Sequence, residues 1–180
     1  MTARATILLV AAGMLAAGCG QGGQVRPAQA ELPGQETSPA FLDRVASTPT
    51  VTENDALRGV LMLLDGKDDS ESFAQRAEAL KARRIVDPAW DFAADRAMTK
   101  GRLAYMLYLA CKVPGGLTLT LTGPSQRYCL RELQFIGMMS SGATYADVTG
   151  LEFVAAITRA DTYIQTGELP DLMLTAGQQP

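Results

Sequence analysis

Apolar positions recur at steps of three and four residues in five stretches of the chain, each opened by a Ser or Thr. Thr52 precedes Ala56, Val60, Leu63 and Leu64, a spacing that puts all four side chains on one helical face. Asp55, three residues after Thr52, completes a start signal, and Gly66 is the stop. Ser72, with Gln75 three on, opens a second stretch with Phe73, Ala77 and Leu80 inward. It ends on Lys81, Arg83 and Arg84, where positive charge suits the helix dipole. Thr99 opens a third with Leu103, Met106, Leu107 and Ala110, and Ser125 a fourth with Leu130, Leu133 and Ile136 before Gly137. Thr149 and Glu152 form a capping box ahead of Phe153, Ala156, Ile157 and Ala160. The pattern predicts an all-α domain of five helices over residues 51–167.

Two stretches depart from it. Leu and Thr alternate from Leu117 to Thr122 between Gly-rich ends. That period of two predicts an extended arm laid over the helices, since a lone strand has no stability of its own. Residues 19–50 are dominated by Gly, Gln, Pro, Ala, Ser and Thr. Such a composition cannot bury enough apolar surface to order itself and predicts a flexible linker, roughly 30 Å end to end as a coil. Phe41, Leu42 and Val45 interrupt it, leaving two outcomes open: a short helix docked on the domain, or part of the linker. Residues 168–180 form a tail containing Leu169 to Leu174.

The helical stretches repeat. Thr99-Lys100-Gly101-Arg102-Leu103-Ala104 superposes on Thr149-Gly150-Leu151-Glu152-Phe153-Val154, and Leu80 to Val86 on Leu133 to Met139. Thr52 begins a third, partial copy, so the capping threonines stand 47 and 50 residues apart. Each unit reads as helix, loop, capping Thr, helix. No such unit closes a core alone, so the copies must pack on one another.

The first twenty residues follow a different logic. Arg4 is followed by an apolar run from Ala5 to Leu15, then by Ala16-Ala17-Gly18-Cys19. A short positive segment, an apolar run too short to span a bilayer and small residues at its end are the layout of a secretory signal. The small residues abutting Cys19 resemble the bacterial lipoprotein box, which implies a signal peptide over 1–18 and lipidation of Cys19. Gly20, rather than Asp, follows that cysteine, which by the same resemblance implies delivery to the outer membrane. An ordinary secretory signal ending near a cysteine is the other reading.

Composition narrows the chemistry. The chain has no histidine and a formal net charge of −3, which removes the commonest general base and metal ligand and offers no basic field for nucleic acid. No Ser-His-Asp or Cys-His pair can form, no metal-ligand spacing is present, and Gly115-Gly116 lacks the lysine of a phosphate loop. The sequence therefore predicts neither an enzyme nor a cofactor. Apart from Cys19 it holds Cys111 and Cys129, which in an exported protein suggest a disulfide, with two buried free thiols as the alternative. Asp91 with Asp95 lacks the ligand spacing of a calcium loop, and Arg127, Arg131 and Glu132 read as surface charges.

The segment Phe92 to Ala104 resembles the loop and Thr-Arg-Ala-Glu helix start of the S-layer homology module, and Val148 to Val154 resembles the same start. The likeness runs over most of Thr52 to Ala160 and implies non-catalytic attachment to cell-wall polysaccharide. On that reading Lys100, Trp90, and Arg84 or Arg102 would converge on a polymer in a groove between repeats. The sequence departs from the module where its ligand-contacting Arg is expected: Lys100 stands there in one copy and Gly150 in the next, Arg102 replaces a Glu, and Ala94 a loop proline. Two roles follow. The chain is either a lipid-anchored structural or adaptor protein of the envelope with a protein partner, or a lipid-anchored module binding envelope polysaccharide. The first predicts an exposed apolar patch, on Leu117, Leu119 and Leu121 or in the tail.

Overall fold

A computed structural model of the chain describes residues 38–169; residues 1–37, with the signal-like segment and Cys19, and 170–180 lie outside the described residues. The described residues form seven helices: α1 (Ser38–Ala46), α2 (Glu53–Asp65), α3 (Phe73–Ala82), α4 (Lys100–Ala110), α5 (Leu117–Thr122), α6 (Gln126–Phe135) and α7 (Gly150–Thr166). All five predicted starts are real. The hydroxyls of Thr52, Ser72, Thr99, Ser125 and Thr149 each accept from the backbone N–H three residues on, and Thr149 with Glu152 closes the capping box.

Two expectations are corrected. The Leu/Thr stretch is helix α5 rather than an extended arm. Leu119 is buried and α5 packs on α6, so burial of one apolar side chain decides a six-residue segment whose alternation carries little weight. The folded part also starts earlier than residue 51. Phe41 and Val45, fully buried, dock α1 onto the core, so the C-terminal end of the predicted linker belongs to the domain.

The helices form three units of one design: α1 with α2, α3 with α4, and α6 with α7. In each, the first helix packs on the second helix of another unit, α3 on α2, α6 on α4 and α1 on α7. The packing is therefore cyclic. At its centre lie Val51, Met98 and Val148, the residues before the three capping threonines, all buried. Met98 N–H donates to Val51 O (2.8 Å), Val51 N–H to Val148 O (2.9 Å) and Val148 N–H to Met98 O (2.9 Å). Three backbone bonds thus close a ring about a pseudo-threefold axis. The repeat extends to the turns: Ile85 N–H donates to Leu80 O (2.9 Å) and Met138 N–H to Leu133 O (2.8 Å). Arg84 (φ 58°) occupies the left-handed position that Gly137 (φ 77°) holds in the other copy.

Candidate functional site

The grooves between units are where the polymer-binding reading places its ligand, and helix N-termini converge there. The first N–H groups of a helix have no partner within it and make a ready anion site when left open. Here they are filled by the neighbouring unit. Glu53 N–H donates to Arg96 O (2.8 Å), Lys100 N–H to Ala146 O (2.8 Å) and Gly150 N–H to Thr48 O (3.2 Å). The next amides, of Asn54 and Gly101, go to Ala94 O (3.2 Å) and Thr144 O (2.8 Å). Gly101 lets the chains approach, since a Cβ there would lie 2.3 Å from Thr144 Cγ2.

The residue after each capping Thr then defines its seam. Between the first and second units this is Glu53, wholly buried. Its carboxylate accepts from Ala93 N–H (2.7 Å), from Arg96 Nε (2.9 Å) and Nη2 (3.2 Å), and from Arg102 Nη1. Arg96 also donates to the Asp91 carboxylate (3.3 Å), and its bond to Glu53, the largest cause, raises its pKa. The Arg102 guanidinium lies 5.4 Å from the ring centroids of Trp90 and Phe92, and Trp90 packs against Phe92 (5.9 Å) and Tyr105 (5.0 Å). Cations over aromatic faces are favourable, so this wall holds Arg102 against Glu53.

Between the second and third units the charges are reversed. Lys100, buried, donates to Glu152 Oε1 (2.7 Å), Ser141 O (2.9 Å) and Ser140 Oγ (3.1 Å). The three protons of an ammonium group are thereby used. Burial raises the Glu152 pKa, but its bonds from Lys100, Ser140 Oγ and the Thr149 amide outweigh this and hold the carboxyl down to about 2. Gly142 (φ 153°) closes over the ammonium, for a Cβ there would lie 2.8 Å from Nζ.

Between the third unit and the first the equivalent residue is Gly150. A Cβ at this position would lie 1.9 Å from Val45 O and 2.8 Å from Thr48 O, so backbone takes the space that a charged side chain takes elsewhere. Asp55, the counterpart of Arg102 and Glu152, bonds Thr52 Oγ1 (3.1 Å) and Arg44 (3.1 Å).

The four predicted polymer-binding residues do not converge. Trp90 and Arg102 meet at one seam, Lys100 is consumed at another, and Arg84 sits exposed on the turn after α3. Neither Lys81, paired with Glu78 (3.0 Å), nor Arg83, paired with Asp65 (2.8 Å), joins them. The suggested disulfide is also corrected: Cys111 and Cys129 are free, buried thiols, raised by burial to about 12 and about 11. At neutral pH both are protonated and inert. Sequence reasoning missed Glu53, Arg96 and Ser140. The signal for the first was present, because aligning the three units sets Glu53 against Arg102 and Lys100 against Glu152 as opposite charges at matching offsets.

Among the described residues no group of Cys, Asp and Glu is placed to hold a metal ion, and no helix is long and apolar enough to cross a membrane. Exposed apolar side chains are Leu121 (76%), Phe135 (86%) and Tyr145 (84%), with Leu151 and Ile164. Comparison with protein-family models, with curated proteins and with solved structures finds no match.

Proposed function

We propose that the protein is a lipid-anchored component of the bacterial cell envelope with a structural or adaptor role. Its three-unit ring would serve as a rigid body at the end of a lipid-attached segment. The anchor rests on the sequence: the signal-like run to Leu15 and the small residues abutting Cys19. The role rests on one structural observation, that Lys100 and Arg102, two of the four side chains expected to grip a polymer, are spent within the protein together with the helix-opening amides. Lys100 has three internal partners, Arg102 is bound to Glu53, and the amides opening α2, α4 and α7 already have carbonyl partners. A site must leave donors free for its ligand, and a charge already paired in a buried network costs several kcal/mol to withdraw. Descent from modules like those of S-layer proteins is consistent with this, since Lys100 and Arg102, where that resemblance expects ligand contacts, lie in the seams. The exposed Phe135, Tyr145 and Leu151, all in the third unit, are the side chains to test for a protein partner.

The anchor is tested by producing the full chain in a bacterial host fed an alkyne-tagged fatty acid, beside Cys19→Ser. Label and membrane fractionation in the parent, both lost in the variant, support the reading. An unlabelled, freely released parent would remove the anchor from it.

A further inference from the structure

The three seams share a design, yet they are not equally closed. The first joins α2 to α3 and the second α4 to α6, consecutive segments of the chain, each crossed by a buried charged side chain. The third joins α1 to α7, the two ends of the described chain. There Gly150 sends no side chain across to the first unit, and α1 meets α7 through apolar contacts, Phe41 and Val45 buried and Leu42 half-buried, its Arg44–Asp55 pair (3.1 Å) running to α2 within its own unit. A helix of nine residues has little stability of its own. Alongside it, Phe41, Leu42, Gly59, Met62, Leu63 and Ile157 line an open cleft of about 260 Å³, so at that edge α1 does not close fully on α2 and α7.

We propose that α1 is the latch of the ring: together with the turn that follows it, α1 releases by local unfolding while the other two seams stay closed. The cooperative unit includes the turn because Thr48 O, at the foot of α1, accepts the Gly150 amide. Release therefore frees the first amide of α7 but leaves the equivalent amides of α2 and α4 bonded to Arg96 O and Ala146 O.

Native-state hydrogen exchange of the full chain, read residue by residue across low denaturant, tests this. Amides of Leu42 to Ala46 and of Gly150 should show protection at least about 100-fold below those of Leu103 to Leu107, with little denaturant dependence, as local openings do. The Glu53 and Lys100 amides should follow the α4 amides. Phe41→Ala should lower protection of α1 and Gly150 by about 100-fold or more, down to none where less remains, while leaving α4 and α6 unchanged. The latch is overturned if α1 and Gly150 share the protection and denaturant slope of α4, if Gly150 stays protected while α1 exchanges, or if Phe41→Ala loosens all helices together or abolishes the fold.

Discussion

Replacing Glu53 by Gln keeps the shape of the side chain and removes its charge, which isolates what the seam owes to electrostatics. The carboxylate accepts four hydrogen bonds, three of them from guanidinium groups. An amide oxygen can keep the Ala93 N–H and one arginine, but its NH2 then points donors at donors. Two charge-assisted bonds are lost, each worth about 1.5–3 kcal/mol, and breaking a buried ion pair costs about 3–5 kcal/mol. The Arg96 side chain is 39% exposed and Arg102 19%, so water partly re-solvates them and the low end applies, about 3 kcal/mol. For a domain of this size that lowers Tm by roughly 10 °C. Thermal and urea melts followed by circular dichroism measure it. A double-mutant cycle with Arg102→Met should give a coupling of at least about 1 kcal/mol. A Tm change under about 3 °C, or additive single effects, would refute the claim that Glu53 locks the seam.

Four further outcomes follow from named contacts. Glu152 titrates near 2 folded against an ordinary 4.5, so it adds stability above pH 4.5 that is lost as pH falls toward 2. Allowing for its 30% exposed side chain, this is about 2 kcal/mol, and an acid titration of Tm should flatten in Lys100→Met. Gly150→Ala should cost more than about 3 kcal/mol through its clash with Val45 O, against about 1 kcal/mol for Gly66→Ala, whose Cβ meets nothing within 4 Å at φ 74°; urea midpoints rank them. Arg84→Gly should stabilise by up to about 1 kcal/mol by relieving a left-handed arginine, and a lowered Tm would contradict that strain. Cys111 and Cys129 should resist alkylation in native buffer and react on denaturation, as mass spectrometry reads directly.

The legible part of this fold is local. A hydroxyl at the cap, a partner three residues on and an apolar face at helical spacing are decided within one helix, and the starts of α2, α3, α4, α6 and α7 all follow from them. The buried faces of α4 and α7 were equally plain. On α2 the face turns slightly, with Leu57 and Leu61 buried and Leu63 and Leu64 only half so; the side toward α7 is kept small, Gly59 lying against Phe153. Where a segment is short, local signals fail. Six residues of α5 satisfy an alternating and a helical reading alike, and α1 is set by where Phe41 and Val45 find a seat. The site was the least legible. Glu53 meets Arg96 and Arg102 across 43 and 49 residues of sequence, and Lys100 reaches Glu152 across 52. A charged residue that is exposed by its composition becomes buried by its partner, and only the register of the repeat carries that partner's address.

The most direct test of the scaffold reading is co-sedimentation of the folded, unlipidated protein with purified envelope polysaccharide, beside Trp90→Ala. Spent seams predict that the parent stays in the supernatant at every polymer concentration. Saturable sedimentation of the parent, lost in a Trp90→Ala protein that still melts cooperatively, would contradict the account and return the groove to a polymer ligand.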